Sequence, residues 1–353
     1  MEIMQIQEFK YTKVIRFWLL TGLIMLIGQV VIGGITRLTG SGLSITSWDI
    51  ITGVIPPLNA QDWLEAFELY KQTPQFQKIN ATINLSEFKF IYFWEYFHRL
   101  WVRSLGVIFV IPFVIFILKK KIDFFLIKRL SLVVFLTILT ASAGWIMVKS
   151  GLVNRPWVNA YKLTIHFILA LLVIMAMIKT VVDVYNYKSS LVVSKKIVLL
   201  TLIITFVQMI FAGLMAGMKA GLYYPTWPTM NGELVPDVIT VSPNWTWQNM
   251  INYDSYLFAP ALVQFTHRLL AYMLVTITIV MFYKLKNKID LRGKKWLKYS
   301  LMLIVIQVVL GVLTVVNVDG KIPLILGVSH QLVGLLFFIC LLFLYYAMRT
   351  KKV

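Results

Sequence analysis

The stretch Phe93-Trp94-Glu95-Tyr96-Phe97-His98-Arg99-Leu100 places ionisable residues inside a long apolar run. Glu95 and His98 are three residues apart, so on a helix they share one face. Ionisable groups inside a membrane-spanning segment are energetically unfavourable and usually functional. The pattern recurs at 264–269 as Gln264-Phe265-Thr266-His267-Arg268-Leu269, with glutamine in place of the glutamate. This near-repeat indicates two related sites of unlike chemistry.

The composition is that of a polytopic membrane protein. Of the 353 residues, 59% are hydrophobic and only 14% are charged, and the mean hydropathy is +0.78. A soluble domain averages about 25% charged residues. A net charge of +19 would suggest nucleic acid for a soluble protein. Here the basic residues lie in short tracts between apolar runs, so they indicate membrane topology, and no nucleic-acid partner is predicted.

Eight apolar stretches are long enough to cross a hydrocarbon layer of about 30 Å as helices. They lie at roughly 15–37, 91–118, 130–149, 160–182, 197–218, 258–283, 299–318 and 324–347. Lysine and arginine concentrate before the first stretch, in the even-numbered connections and in the tail, which predicts that both termini are cytoplasmic. The longer connections, 38–90 and 219–257, would then face outward. The first of them predicts an amphipathic helix around Asp62–Tyr70.

The amino terminus lacks the composition of a transit peptide and a cleavage site. We therefore expect the first apolar segment to stay in the membrane. The expected location is a bacterial inner membrane, with a mitochondrial inner membrane as the less favoured alternative. The single cysteine, Cys340, excludes an intramolecular disulfide and any CxxC metal or redox site.

The two halves of the chain match each other. Gln29 and Gly34 recur 179 residues later as Gln208 and Gly213, and the same offset of 179 relates several glycines, a tryptophan and a proline. The other recurring pairs are His98 with His267, His166 with His330, and Gly144 with Gly311. An even number of helices per unit leaves the repeats parallel. We therefore predict an all-α fold of two duplicated four-helix bundles, residues 1–183 and 184–353, related by a pseudo-twofold axis along the membrane normal.

All four histidines of the protein fall in this repeat. They are His98, His166, His267 and His330. Two facing imidazoles in a four-helix bundle match the axial ligation of a heme iron. A zinc site would need three or four protein ligands, and each half offers only two histidines. We therefore predict two hemes, one per bundle, with these histidines as axial ligands.

Basic residues near the outer ends of the helices are candidates for binding heme propionates, because an arginine fork pairs well with a carboxylate. In the first half these are Arg37, Arg99, Arg103, Arg155 and Lys162, and in the second half Arg268. The alternative is that the side chains extend to lipid headgroups. For Arg99 and Arg268, which directly follow histidines, propionate binding is the favoured interpretation.

Several motifs resemble those of a known family, heme A synthase, in its alphaproteobacterial and mitochondrial form. They occur in family order over nearly the whole chain: Gly33-Gly34-Ile-Thr-Arg37-Leu-Thr-Gly-Ser-Gly-Leu-Ser44, Trp94-Glu-Tyr-Phe-His98-Arg99, Asn159-Ala-Tyr-Lys-Leu-Thr-Ile-His166, Thr226-Trp-Pro-Thr-Met-Asn-Gly232 and Val263-Gln-Phe-Thr-His267-Arg268. The family's glutamate motif maps onto Glu95. Some bacterial members carry cysteine pairs in their outer loops, and because this chain has none, a thiol relay is excluded.

The resemblance implies that the first half binds the substrate heme O between His98 and His166. It also implies a heme b cofactor between His267 and His330. The enzyme would oxidise one heme methyl group to a formyl group through successive hydroxylations, giving heme A for cytochrome c oxidase. Heme O synthase would supply the substrate, and the cytochrome oxidase assembly machinery would receive the product. The electron donor is not identified by the sequence, and a homo-oligomer is left open.

The residues agree with a substrate site in the first half and a cofactor site in the second. One site has a proton acceptor, Glu95, whereas the other has the neutral amide of Gln264. Two hemes that serve only electron transfer would not need an ionisable group beside just one of them. Glu95 is therefore the candidate catalytic residue, acting in proton transfer. The alternative is a structural ion pair with a nearby arginine.

Three other classes of protein share part of this pattern. A diheme b-type electron-transfer protein explains the four histidines but leaves Glu95 and the long outer connections without a role. A di-iron carboxylate enzyme shares the Glu-x-x-His motif but needs several inward-facing glutamates, and only Glu95 lies within a span. A transporter is compatible with the duplication alone.

Overall fold

The computed structural model describes residues 10–46, 55–152, 156–187 and 195–348. These ranges fold into α-helices joined by turns and short 3-10 segments, and they contain no β-strand beyond isolated bridges. The helices are α1 (Lys13–Leu38), α2 (Ala60–Lys71), α3 (Pro74–Lys78), α4 (Leu85–Leu118), α5 (Phe124–Gly151), α6 (Ala160–Val184), α7 (Lys196–Gly217), α8 (Asp237–Thr240), α9 (Trp247–Ile251), α10 (Phe258–Leu285), α11 (Leu291–Val316) and α12 (Leu324–Ala347).

Within the described residues, eight helices are long and apolar enough to cross a membrane. They are α1, α4, α5, α6, α7, α10, α11 and α12. The protein is therefore an integral multi-pass membrane protein with an all-α fold, which confirms the prediction of eight spans.

Three spanning helices begin earlier than their apolar runs. α4 begins at Leu85, α5 at Phe124 and α11 at Leu291, where the sequence predicted starts at about 91, 130 and 299. Each start is set by a polar side chain that accepts a hydrogen bond from a backbone N–H of the first turn. These N-cap residues are Asn84, Asp123 and Asp290. Hydrophobicity thus locates the membrane, whereas the cap determines where the helix begins.

The contacts between helices follow chain order within each half. In the first half α1 packs on α4 and α5 packs on α6, and in the second α7 packs on α10 and α11 packs on α12. The halves meet through α1 against α12, α6 against α7, and α6 against α12. The first and fourth spanning helices of each half therefore form the interface between the halves.

Glycines allow α7 to approach α6 closely. A Cβ built on Gly217 would lie 2.5 Å from the backbone Cα of Ala160, and one built on Gly213 would lie 3.1 Å from Oγ1 of Thr164. Lipid tails are as apolar as the helix surfaces, so the hydrophobic effect does not drive helices together within a membrane. Small residues favour association there because they let the helix backbones pack closely.

The largest buried apolar cluster takes residues from all eight spanning helices and lies toward the ends nearest the two termini. It includes Ile15 at the start of α1 and Leu341 near the end of α12. The four histidines lie in the opposite parts of their helices, toward the long connections. The fold therefore keeps a packed apolar base at one end and polar side chains at the other.

The first long connection packs onto the start of α4. The amphipathic helix predicted around Asp62–Tyr70 is α2, which buries Phe67 and Tyr70 against Phe88 and Ile91 of α4. The prediction of this helix is confirmed, and its packing fixes the amino-terminal end of the helix that carries His98.

We predict that Gly217→Ala destabilises the protein, because the new methyl group meets backbone at Ala160 rather than a flexible side chain. Overpacking of this kind typically lowers the free energy of unfolding by about 1–3 kcal/mol. The measurement is thermal unfolding of the purified protein in detergent. Gly106→Ala on α4 is the matched control, since a Cβ there has nothing within 4 Å. Equal melting temperatures for the two variants would contradict the packing argument.

Candidate functional site

The histidines of α6 and α12 are held by the helix that precedes each of them. Nδ1 of His166 lies 2.9 Å from the carbonyl oxygen of Thr140, and Nδ1 of His330 lies 3.1 Å from that of Gln307. A carbonyl only accepts, so Nδ1 carries the proton and donates. The lone pair of each neutral imidazole is then on Nε2, which is the form that binds a metal.

A glycine makes room for each of these rings. Gly144 and Gly311 lie one helical turn after the residues whose carbonyls accept the bond. A Cβ on either glycine would lie 2.9 Å from Cε1 of the imidazole. Each ring therefore occupies space that any other residue would fill.

The histidines of α4 and α10 each face a glutamine of the first helix in their half. Nε2 of Gln29 lies 2.8 Å from Nε2 of His98, and Nε2 of Gln208 lies 3.3 Å from Nε2 of His267. Both amide groups also donate to the backbone carbonyl of the same histidine, at 3.4 Å and 3.0 Å, which fixes their orientation. Because an amide nitrogen only donates, the histidine Nε2 is the acceptor and carries the lone pair.

The histidines come together in pairs. The ring centres of His267 and His330 are 6.4 Å apart at an angle of 65°. His98 and His166 are close enough to interact electrostatically. Within the described part of the chain, His, Cys, Asp and Glu form no group of three or more that could hold a metal ion. Each pair is thus a two-nitrogen donor set.

This donor set fits axial ligation of a heme iron. All four rings are half-buried rather than sealed into the core. Beside three of them lie glutamine oxygens that are buried without a hydrogen-bond partner in the described structure. These are Oε1 of Gln29, Gln208 and Gln307. Buried polar atoms without partners are rare and point to a group that completes the site.

Glu95 lies at the centre of a dense hydrogen-bond network. Its Oε2 accepts from the backbone N–H groups of Ser44 and Ile45, at 2.7 and 2.9 Å, and the Ser44 hydroxyl lies 2.8 Å away. Its Oε1 accepts from Nη2 of Arg99 at 2.6 Å. The residue is 3% exposed. The carboxylate therefore fastens the turn that follows α1 to the helix that carries His98.

The second half replaces this carboxylate network with carbonyls. Gln264 donates to the backbone carbonyl of Tyr224 at 2.9 Å. Arg268 donates to the backbone carbonyls of residues 224, 226, 228 and 229, at 2.7 to 3.3 Å. The corresponding Arg99 also lies 3.4 Å from the carbonyl of Ile45. Both arginines thus bond the loop that follows the first helix of their half. Arg99 also pairs with a carboxylate, whereas Arg268 bonds backbone carbonyls.

The remaining arginines occupy different positions. Arg37, at the last turn of α1, donates to the carbonyl of Ala216 on α7. Arg103 is half-buried one turn beyond Arg99 on the same face of α4. Arg155 lies outside the described residues. The structure therefore places Arg99 and Arg103 one turn apart on α4, with Arg99 close enough to His98 to interact electrostatically, and it brings Arg37 to the interface between the halves.

The sequence model of the family described as cytochrome oxidase assembly protein matches residues 16–342. The heme A synthase of Nitrosospira multiformis is 38% identical over 354 residues, which covers 98% of this chain and 96% of the relative. That of Wolbachia sp. subsp. Brugia malayi is 39% identical over 340 residues, covering 94% and 96%. That of Flavobacterium psychrophilum is 36% identical over 329 residues, covering 91% and 94%. The chain belongs to the heme A synthase family. The resemblance found in the sequence motifs is thereby confirmed.

For this member of the heme A synthase family, several residues of the site lie outside the motifs that predicted it. Gln29 and Gln208 belong to the repeat, and their identity in both halves is the signal that could have assigned them a role. Gln307 gave no signal, because position 140 of the first half holds threonine. The backbone N–H groups of Ser44 and Ile45 could not be found, since every residue but proline carries one.

We predict that Glu95→Gln loosens the turn at residues 39–46. Hydrogen bonds to a charged group contribute about 1.5–3 kcal/mol, so amide exchange at Ser44 and Ile45 should become about tenfold faster or more. Hydrogen–deuterium exchange of the purified protein measures this. Glu87→Gln is the control, because Glu87 caps only the first turn of the same helix. Unchanged exchange in the turn would contradict the anchoring role of Glu95.

Proposed function

We propose that this protein is an oxidoreductase that converts heme O to heme A, which cytochrome c oxidase requires. One methyl group of the substrate is oxidised to a formyl group by successive hydroxylations. The observation that carries this proposal is the difference between two similar histidine pairs. One lies beside the buried carboxylate of Glu95, and the other lies beside the neutral Gln264. Membership of the heme A synthase family supports the same reaction.

The proposal divides the chain into two four-helix units, residues 1–183 and 184–353. The first would hold the substrate heme O between His98 and His166, and the second a heme b cofactor between His267 and His330. A bound heme would supply the one-electron chemistry, and the protein would supply its binding and orientation. The equivalent helix pairings within the two units support this division.

In the substrate unit, the protein's own groups bind, orient and accept protons. His166 is fixed by the carbonyl of Thr140, so its Nε2 points a lone pair at the site. Glu95 is the proposed proton acceptor. Its Oε2 is fully engaged by the turn, whereas Oε1 has one donor, Arg99. A carboxylate offers about four acceptor positions, so Oε1 keeps the capacity to accept a further hydrogen bond.

The arginines are the proposed partners of the heme propionates. Arg37, Arg99, Arg103 and Arg155 would serve the substrate heme, and Arg268 would serve the cofactor. The position of Arg99, one residue beyond His98, supports this role, and a guanidinium with five N–H donors has donors left besides the one bonded to Glu95. Arg268 would keep its hydrogen bonds to the backbone carbonyls while binding a propionate, because a guanidinium carries five N–H donors.

The proposed topology places both termini in the cytoplasm and the histidine sites near the outer face of a bacterial inner membrane. The distribution of lysine and arginine supports it. Heme O synthase would provide the substrate, and the cytochrome oxidase assembly machinery would receive the product. The conversion of a methyl to a formyl group is a net oxidation, so it needs an oxidant; hydroxylation by dioxygen would in addition need a separate electron donor.

Expression with heme O synthase, followed by extraction and chromatography of the hemes, tests the function and the role of Glu95 together. The wild type should accumulate heme A. Glu95→Gln should retain bound heme but form heme A about 10²–10⁴-fold more slowly, the usual contribution of a positioned general base.

Ser44→Ala is the matched control for that experiment. It removes a hydroxyl from the same network but keeps the carboxylate and the backbone donors, so heme A should still form. If the wild type contained only two hemes of one kind, the protein would be a diheme electron carrier instead. Near-normal heme A formation by Glu95→Gln would leave Glu95 as the structural partner of Arg99.

We also predict that Gly311→Ala and His330→Ala remove the tightly bound b-type heme. The methyl group at position 311 displaces the imidazole of His330, which it would approach to 2.9 Å. The absorption spectrum of the purified protein gives the measurement. Gly144→Ala makes the same change beside His166 and should leave the b-type signal in place. Loss of that signal from Gly144→Ala alone would reverse the assignment of the two sites.

A further inference from the structure

Arg37 lies next to the first histidine pair but points toward the other half of the chain. A Cβ on Gly33 would lie 3.4 Å from Nε2 of His98, so this face of α1 borders the proposed substrate site. Arg37 is one helical turn further along the same face. Its guanidinium crosses the interface to donate to the carbonyl of Ala216 on α7.

The guanidinium of Arg37 is incompletely satisfied. Its Nε is buried and has no hydrogen-bond partner among the described residues. An arginine has five N–H donors and cannot become neutral in a protein. A buried cation with a donor left over is energetically unfavourable unless an anion completes the site.

Lys219 provides a second cation from the other half, at a backbone position that disfavours lysine. Its φ is +54°, in the left-handed region that usually belongs to glycine at the end of a helix. Adding 179 to 40 gives 219, and Gly40, the corresponding residue after α1, has a φ of +70°. Lys120, after α4, has a similar φ of +51°, so the placement of the Lys219 side chain, rather than its backbone alone, is what suggests a function.

The backbone N–H of Lys219 donates, at 3.3 Å, to the carbonyl of Ala216, which also accepts from Arg37. Nζ of Lys219 is 4.4 Å from the ring centre of Trp157, whose indole N–H donates to Asp254 at 3.0 Å. Burial lowers the pKa of Lys219 below its ordinary value, the charge of Arg37 lowers it further, and Asp254 opposes both. Two cations therefore converge where α1 meets the end of α7.

The same offset shows that the two cations are not a symmetric pair. Adding 179 to 37 gives 216, where the second half has alanine. The first half thus has arginine and glycine at 37 and 40, and the second has alanine and lysine at 216 and 219. Each half contributes one cation, and both cations lie at a single place.

We infer that Arg37 and Lys219 together bind a carboxylate of the substrate heme, so that a residue of the second half completes the substrate site of the first. This inference rests on the proposed function. It assigns a substrate-binding role to Lys219, which belongs to none of the family motifs and lies in the half proposed to hold the cofactor heme. It also explains the interface position of Arg37, since a site made by one half alone would not need it there.

Titration of the purified protein with iron protoporphyrin IX and with its dimethyl ester tests the inference, because the ester lacks the carboxylates. Heme binding is followed by absorbance. The part of the absorbance change that is absent from the His98→Ala variant is assigned to the first site. The wild type should bind the free acid about tenfold more tightly or more, since hydrogen bonds to charged groups are the stronger ones. Lys219→Gly and Arg37→Gln should each reduce this preference, and the double variant should nearly lose it.

Lys219→Gly should fold well, because glycine suits the left-handed backbone at that position. Retention of the heme bound by His267 and His330 checks the fold of Arg37→Gln. Lys321→Gln, at an exposed lysine of the connection before α12, should keep the full preference.

Equal binding of the acid and the ester by the wild type would overturn the inference, as would a preference unaffected by both variants. Loss of the preference in phosphatidylglycerol vesicles, with its return in neutral detergent, would assign the two cations to a lipid phosphate instead. Heme A formation is measured separately, so a wild type that makes heme A without distinguishing the ester would refute only this inference.

Discussion

The hydrogen bond from a histidine Nδ1 to a backbone carbonyl of the preceding helix is the interaction on which both candidate sites depend. It fixes the tautomer and leaves the lone pair of Nε2 directed into the bundle. The bond requires the imidazole to lie against the backbone of its neighbour, which is possible only because glycine follows one turn later. Carbonyl, glycine and histidine therefore form one unit, and this unit draws α5 onto α6 and α11 onto α12.

A second constraint distinguishes the two sites. Glu95 and Arg99 form a buried ion pair, with side chains only 4% and 12% exposed. Removing one partner of such a pair typically lowers stability by about 3–5 kcal/mol, because the other charge stays buried. The catalytic and structural interpretations of Glu95 are therefore compatible: the bonds that hold the turn also hold the carboxylate beside His98. At the corresponding place in the second half, Gln264 bonds only a carbonyl, so the loop is held without an acid–base group.

The sequence predicted the parts of the molecule that depend on patterns along the chain. Hydrophobic runs gave eight spans, and the repeated His-Arg-Leu segments identified His98 and His267 as related residues. The sequence could not predict contacts that backbone atoms make, such as the bonds of Ser44 and Ile45 to Glu95. It also grouped Arg37 with the other arginines near the outer helix ends, although Arg37 reaches the opposite half. Such a contact depends on how α1 and α7 are placed in space, which no local pattern encodes.

The proposed duplication makes corresponding positions of the two halves directly comparable, and some of those near the histidines differ in chemistry. Glu95 corresponds to Gln264, Thr140 corresponds to Gln307, and Arg37 corresponds to Ala216. The glutamines at 29 and 208 and the glycines at 144 and 311, which lie beside the rings, are the same in both halves. A shared scaffold thus keeps the ligand geometry, while a few side chains decide which site can accept a proton. Because α1, α6, α7 and α12 form the interface between the halves, residues at that interface can act on the neighbouring unit as well as on their own.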